Sequence, residues 1–365
     1  MRILLTSGGT GGHIYATVAV AQALKKISEE RKLFFELIFV GPDDFPEIKN
    51  KKILAGKLRR YFSFKNFIDP FKMLIGFWQT FWHIFWFMPD TIFGKGGYGS
   101  FPVIVVGWLL RIPIIIHESD STPGLTNKIC APLAKRIAFS FPGAEKYFSA
   151  KKRFLSGHPI REKILSATKQ DAILTLKLIG KRPVVFFVGG SQGAKKINDL
   201  LLEILPGLLK TYEVLHQTGK NNFEEVKREA DVLFLAQKLD RRYFHLFADL
   251  SETEMGCAYA VSDIIIARAG AGTISEIATL GKPSIVIPLP LSAQDHQVKN
   301  AYEFAEQKGT IVLEEANFTP HFVLQEIANI LEDKKKLALM GANAKEFARS
   351  GAAKIIAEEI IRLAS

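Results

Sequence analysis

Ser7-Gly8-Gly9-Thr10-Gly11-Gly12-His13, entered from the apolar run Arg2-Ile3-Leu4-Leu5-Thr6, and Gly189-Gly190-Ser191-Gln192-Gly193-Ala194, entered from Val184-Val185-Phe186-Phe187-Val188, decide the fold. Each is a short strand, a glycine turn and the start of helical sequence. Glycines let the backbone approach a ligand, and the unpaired N–H groups of a helix N-terminus point at it, so each unit is an anion site. Two such units about one domain apart predict two Rossmann-like α/β domains facing each other across a cleft. One would hold a phosphorylated donor, the other an acceptor.

The rest of the chain agrees. Strand-like runs at Phe34–Val40, Thr91–Phe93, Pro113–His117, Val214–His216, Asp263–Ala267, Ser284–Pro288 and Thr310–Leu313 alternate with helical stretches such as Val18–Lys26 and Thr273–Leu280. Such alternation predicts parallel sheets with helices on both faces and ligands at the carboxyl ends of the strands. The Gly157-His158-Pro159-Ile160-Arg161 turn marks the boundary, giving domains 1–160 and 161–345, with a C-terminal helix, 346–365, packing back on the first. Lys169–Lys177 reads as the first helix of the second half, and Leu337–Ser365 as continuous helix.

The chain has 365 residues, 48% hydrophobic and 23% charged, enough for two full cores and too apolar for a disordered chain. Two cysteines, Cys130 and Cys257, exclude a disulfide framework and a cysteine-rich zinc site and fit a reducing cytoplasm. The N-terminus enters a strand at once, without the pattern of a secretory signal. A formal net charge of +11 fits simple solubility or an anionic partner: nucleic acid, phosphorylated substrate or acidic lipid.

Neither glycine loop is a dinucleotide or Walker A fingerprint: Ile14 stands where a third glycine is required, and no Gly-Lys-Ser/Thr follows. A third strand–helix junction is Ile266-Ala267-Arg268-Ala269-Gly270-Ala271-Gly272-Thr273-Ile274-Ser275-Glu276. Its small residues let a ligand lie on the backbone. Glu276, about one turn into the helix, is either a helix-start carboxylate favoured by the macrodipole or an acceptor for ribose hydroxyls. After Pro288-Leu289-Pro290, the carboxamides of Gln294, Gln297 and Asn300 suit either sugar hydroxyls or an ordinary polar helix start.

Taken with Gly96-Gly97-Tyr98, His117-Glu118, Pro123-Gly124-Leu125-Thr126-Asn127, His158-Pro159-Ile160-Arg161 and His216-Gln217-Thr218-Gly219, these motifs run in order along almost the whole chain. The sequence resembles the MurG family of peripheral membrane N-acetylglucosaminyltransferases. The resemblance implies a GT-B glycosyltransferase fold, UDP-N-acetylglucosamine as donor, and lipid I (undecaprenyl-pyrophosphoryl-N-acetylmuramyl-pentapeptide) as acceptor. The product is lipid II, joined β-1,4 with inversion, for peptidoglycan synthesis. It further implies the cytoplasmic face of the bacterial inner membrane as location, other cell-wall synthesis enzymes as candidate partners and no nucleic acid.

By the same resemblance, Thr10, Gly11, Gly12 and His13 bind substrate. Asn127, Arg161, Ser191, Ala271, Gly272, Glu276 and Gln297 match donor-contacting positions, with Ser191 on the diphosphate, Glu276 on the ribose and Gln297 on the sugar. The stretch Phe247–Glu254, where the family contacts uracil, is longer than the family pattern, so no residue is assigned to the base. Tyr15-Ala16 stand where the family usually has a proline, and Gly272 replaces a larger apolar residue of some members.

Inverting sugar transfer needs a base beside the acceptor hydroxyl and stabilisation of the departing UDP. His13, at the end of the first glycine loop, is either that base or a residue that pins the loop. His117 and Glu118, at the end of the Pro113–Ile116 run, are the other candidates. Arg161 and the second helix N-terminus would meet the leaving-group charge. No Asp-x-Asp pair occurs, so no metal or other cofactor is expected to be required, magnesium acting at most as a stimulant.

Met73–Met88 carries no formal charge and sets Trp78, Trp82 and Trp86 at i, i+4, i+8 beside Phe77, Phe81 and Phe85. It is too short to span a bilayer. Residues 49–72 before it hold eight Lys/Arg and one acid, Asp69. Residues 49–88 thus read as an interfacial binder of an anionic leaflet, or as an aromatic stripe on the sheet beside a solvated basic run. Other classes compatible with the motifs are a GT-B enzyme with a soluble acceptor and a UDP-sugar epimerase; a nucleic-acid binder would leave the glycine loops idle.

Overall fold

The computed structural model describes residues 1–8, 11–45, 48–56, 65–190, 193–290 and 292–365, the side chains of 65–68 and 293 apart. The chain divides into two compact units, Met1–Arg161 with Arg349–Ser365, and Glu162–Ala348. The crossings therefore fall at 161/162 and 348/349, where the sequence suggests 160/161 and 345/346.

The first unit is built on seven parallel strands: β1 Arg2–Thr6, β2 Glu36–Gly41, β3 Lys49–Lys52, β4 Thr91–Gly94, β5 Ile114–Glu118, β6 Arg136–Phe139 and β7 Arg153–Leu155. Their order is β3-β2-β1-β4-β5-β6-β7. Because helices cover both faces, the inner strands carry apolar residues on both faces. Leu4, Ile38, Ile92, Ile116 and Ile137 pack on one face, and Ile3, Leu5, Phe39, Phe93 and Ile115 on the other. The second set is closed by Val18, Leu24 and Ile27 of helix Gly11–Arg31 and by Ile356, Ala357 and Ile360 of helix Ala352–Ala364. Strand β3, Lys-Asn-Lys-Lys, has no apolar pattern and forms only as the polar edge partner of β2, where its lysines blunt the exposed edge.

In the second unit, β8 Val184–Val188, β9 Glu213–Gln217, β10 Phe244–Phe247, β11 Ile264–Ala267, β12 Ser284–Val286 and β13 Thr310–Val312 pair in parallel in the order β10-β9-β8-β11-β12-β13. Each sheet reverses its strand order beside the first strand of its unit, between β1 and β4 in one and between β8 and β11 in the other. That is where open α/β sheets place ligands.

The expected continuous helix at the C-terminus is two helices, Lys334–Phe347 and Ala352–Ala364. Ala348 is extended, and Gly351 turns the chain at φ 76°, a conformation that glycine adopts without strain. The break falls where the chain passes from the second unit to the first.

The aromatic segment lies in helix Lys65–Phe87. Its two sides differ: Phe77, Phe81, Ile84 and Phe87 pack on the first core. Trp78, Trp82 and Trp86 are 63%, 40% and 75% exposed, and Phe71, Leu74, Ile75 and Phe85 join them at the surface. The tryptophans are therefore not the core stripe that the sequence left open. Among the described residues, no helix is long and apolar enough to cross a membrane.

Candidate active site

In the first unit the carboxyl ends of β1, β4 and β5 lie side by side, with Thr6 registered on Gly94 and Gly94 on Ile116. From β1 the chain enters helix Gly11–Arg31, which carries Gly11, Gly12 and His13 in its first turn. Thr10 lies outside the described residues. From β4 it enters Lys95-Gly96-Gly97. Gly97, at φ 81°, must be glycine: a Cβ there would stand 1.7 Å from the Gly8 oxygen and 2.8 Å from His13 Nδ1. Gly96, at φ 94°, gives the same close approach to the Asn127 amide.

From β5 come His117 and Glu118, both buried. Glu118 Oε1 accepts from the Ser119 and Asp120 N–H groups, and Oε2 from the Gly124 N–H and Asn127 Nδ2. A carboxylate with four donors is a loop-holding group. Asn127 Nδ2 also donates to the His117 carbonyl, while its Oδ1 has no hydrogen-bond partner among the described residues. His117 Nε2 lies 3.1 Å from the Gly157 oxygen and 3.2 Å from Ser140 Oγ. A carbonyl partner places the proton on Nε2, so Nδ1 keeps its lone pair. The His158 ring stands 5.9 Å away. Arg161 stacks its guanidinium 4.0 Å over the Tyr15 ring.

The electrostatics single out one group. Burial, and next the Lys95 charge, hold His13 below the usual histidine range; Asp120 and the Gly96 and Gly8 carbonyls oppose them. Burial and then Lys95 do the same to His117 and His158. His13 is half-buried, with Nδ1 covered, and burial is the main cause of its lowered proton affinity. Burial brings Lys95 itself down to about 8, against the pull of Glu118 and Asp120. Burial, with Asp120 second, raises Glu118. His13 is thus a neutral imidazole at the mouth of the loop. Glu118 is committed to its four donors, and His117 lies fully inside.

In the second unit β8 runs into Gly189-Gly190, and helix Lys195–Leu208 begins after Ala194. Ser191 and Gln192 lie outside the described residues. Strand β11 runs into Arg268–Gly270 and helix Ala271–Leu280, whose first turn holds Ala271 and Gly272. Glu276 is on this helix and accepts a 2.8 Å hydrogen bond from the Tyr259 hydroxyl. Three loops are tied together here. Arg268 Nη1 donates to the Ile287 and Pro288 carbonyls beyond β12, and Nη2 lies 2.5 Å from Glu315 Oε1. Asn300 Nδ2 points at the Ala269 oxygen, and Gln297 Oε1 accepts from the Leu289 N–H. The result is a set of backbone N–H groups and small residues at two helix N-termini, a surface suited to a diphosphate.

The site residues therefore fall into two groups. Gly11, Gly12, His13, His117, Glu118, Asn127 and Arg161 belong to the first unit, and Ala271, Gly272, Glu276 and Gln297 to the second. The sequence reading did not single out Lys95 or Asp120. The signal for Lys95 was a lone lysine between a buried strand and a glycine pair, in Phe93-Gly94-Lys95-Gly96-Gly97. Asp120 carries no signal of its own, because only the adjacency of β1, β4 and β5 brings its charge to bear on His13.

The glycosyltransferase family 28 N-terminal domain matches residues 3–139, and the family 28 C-terminal domain matches 184–359. The chain is 34% identical over 353 residues to the UDP-N-acetylglucosamine--N-acetylmuramyl-(pentapeptide) pyrophosphoryl-undecaprenol N-acetylglucosamine transferase 2 of Bacillus thuringiensis subsp. konkukian, covering 94% of this chain and 96% of that protein. It is 34% identical over 345 residues to the transferase of that name from Geobacillus kaustophilus, covering 92% of each. The crystal structure of Acinetobacter baumannii MurG superposes with TM-score 0.72 at 25% identity over 99% of both chains. A UDP-GlcNAc 2-epimerase from Neisseria meningitidis shares the fold at TM-score 0.70 and 14% identity, over 99% of this chain and 100% of the other. The two parallel sheets are those of the GT-B fold.

Proposed function

The chain belongs to glycosyltransferase family 28, and on that premise we propose that it transfers N-acetylglucosamine from UDP-N-acetylglucosamine to the C4 hydroxyl of the N-acetylmuramyl sugar of lipid I, releasing UDP and lipid II. The observation that carries this reading is the end-to-end match to transferases of that activity, with 34% identity over 94% of the chain.

The residues divide the chemistry between them. In the second unit, the helix N-termini after β8 and β11 meet the diphosphate of the donor, with their dipoles favouring the negative charge that grows as UDP departs. Glu276 accepts the ribose hydroxyls, its orientation fixed by Tyr259. Gln297 and Asn300 hold the loops that contact the sugar. In the first unit, neutral His13 takes the proton of the acceptor C4 hydroxyl as that oxygen bonds to the anomeric carbon and the carbon–UDP bond breaks. Attack from the face opposite UDP inverts the anomeric centre. Arg161 adds positive charge for the leaving group. No metal or cofactor is expected to be required, with magnesium at most a stimulant. The test is UDP release measured with and without a short-chain lipid I analogue. Release that depends on the analogue supports the reading; equal release without it would oppose it.

The acceptor's polyprenyl chain stays in the bilayer, so the first unit must work at the membrane surface, on the cytoplasmic leaflet where nucleotide sugars are available. The exposed face of helix Lys65–Phe87 supplies the apolar contact, and the neighbouring helix Phe101–Leu109 adds exposed Trp108 and Leu109. Lys49 and Lys51 of β3 supply charge for acidic lipids, at roughly 1 kcal/mol per residue close to the surface, while Lys52 and Lys72 pair with Asp44 and Asp69. Lys57, Arg59 and Arg60, which belong to the same basic run, lie outside the described residues. Replacing Trp78, Trp82 and Trp86 by serine is expected to reduce sedimentation with anionic vesicles while leaving turnover of a soluble short-chain acceptor near wild type. Wild-type sedimentation by the triple variant would place the membrane face elsewhere.

A further inference from the structure

Arg161 sets its guanidinium 4.0 Å from the centroid of the Tyr15 ring, and the transfer chemistry gives a task only to the arginine. Tyr15 lies in helix Gly11–Arg31, two residues beyond His13. Ile14 beside it packs against the core and Ala16–Ala21 are buried, whereas Tyr15 is 44% exposed. Core packing therefore gives no reason for a large ring at this position. Arg161 is the last residue of this part of the first unit, at the end of the Gly157–Arg161 turn and just before helix Glu162–Ser166. Its side chain is long and rich in rotamers, so holding it in one geometry has an entropic cost. A flat ring against a flat guanidinium lowers that cost. The stack takes up one face of the cation and none of its N–H groups, which lie in the guanidinium plane. Those edge N–H groups are the ones that phosphate oxygens take, in pairs, from an arginine. The ring thus orients the cation without competing with an anion for it.

We propose that Tyr15 is a positioning residue for Arg161: its ring sets the plane of the guanidinium, so that the N–H edge is what the arginine offers to the departing diphosphate. The inference rests on the reading of Arg161 as the cation for the leaving group. The stack also ties Arg161 to the helix turn that bears His13, so one element sets both groups of the first unit that act in transfer. The negative charge on UDP grows in the transition state, so an arginine held out of place costs turnover more than donor binding.

The test is a double-mutant cycle between Tyr15 and Arg161 in the full-length protein, read as kcat and donor KM with a soluble short-chain lipid I analogue. Tyr15→Leu should lower kcat roughly 5–30-fold, the scale of a partly desolvated cation–π contact, with donor KM changed less. Tyr15→Phe and Tyr15→Trp keep the ring face and should restore kcat to near the wild-type value. In an Arg161→Ala background the leucine substitution should have no further effect, because the cation it acts through is gone. A kcat loss of the same size in both backgrounds would mean that Tyr15 acts on the helix or on His13, and would overturn the inference. Wild-type kcat in Tyr15→Leu, or a Tyr15→Phe variant as impaired as Tyr15→Leu, would overturn it as well. Tyr15→Gln, which suits an exposed helical position, carries the cycle if Tyr15→Leu fails to fold. If Arg161→Ala alone turns over normally, the leaving-group assignment fails and the inference falls with it; that single variant tells this failure from the others.

Discussion

His13→Ala is expected to lower turnover on the order of 10²–10⁴-fold, the usual contribution of a positioned general base. Donor affinity should stay near wild type, because most of the residues proposed to contact the donor, Ala271, Gly272, Glu276 and Gln297, belong to the other unit, Asn127 and Arg161 being the exceptions. His13 is favoured over its rivals by geometry. Glu118 is occupied by four hydrogen-bond donors, and His117 is fully buried with Nε2 engaged by Gly157 and Ser140. Steady-state kinetics with a soluble acceptor, paired with calorimetric UDP binding, separates the two effects. Turnover within a few-fold of wild type would leave His13 a loop-pinning residue and return the role to His117.

The second large effect is expected at Glu276. Glu276→Ala should weaken UDP-N-acetylglucosamine binding by roughly 1.5–3 kcal/mol, the scale of hydrogen bonds to a charged group. Two losses combine in that figure. The ribose hydroxyls lose their acceptor, and the Tyr259 hydroxyl loses the partner it holds at 2.8 Å. Glu276→Gln keeps an acceptor oxygen for Tyr259 and removes the charge, so an intermediate loss assigns the remainder to the carboxylate. Unchanged UDP affinity in the alanine variant would make Glu276 a helix-start residue and nothing more.

The fold could be read from the two glycine loops because each combines an apolar strand, a turn only glycine tolerates and a helix start within about a dozen residues. Strand β8 is buried at every position and β1 at every position but Arg2, and their sequence says so. Other strands carry no such signature. β3 is Lys-Asn-Lys-Lys, a strand only by pairing with β2, and its charges suggested a solvated or membrane-facing run instead. β7 and β10 are short and half-buried, at or beside sheet edges, where local pattern is weakest. The C-terminal helix looked continuous because Ala348–Gly351 has no proline and is flanked by good helix formers; the break serves a passage between units that a local pattern cannot encode.

The site follows the same division. His13 stands out because it ends a glycine loop, and Glu276 because it follows a run of small residues. Lys95 and Asp120 are 25 positions apart in the chain and gain their meaning from the β1-β4-β5 adjacency. The aromatic segment gave its period in sequence, yet its facing had to come from packing. Phe77 and Phe81 turn inward while the tryptophans turn out.

The proposed reaction joins one sugar to one lipid-linked acceptor with inversion. The most direct measurement is the structure of the product formed from UDP-N-acetylglucosamine and a short-chain lipid I analogue, by mass and by the coupling constant of the new anomeric proton. The expected product is a β-linked N-acetylglucosaminyl-N-acetylmuramyl disaccharide with one UDP per linkage. Free N-acetylhexosamine with UDP and no disaccharide, or an α-linkage, would contradict it.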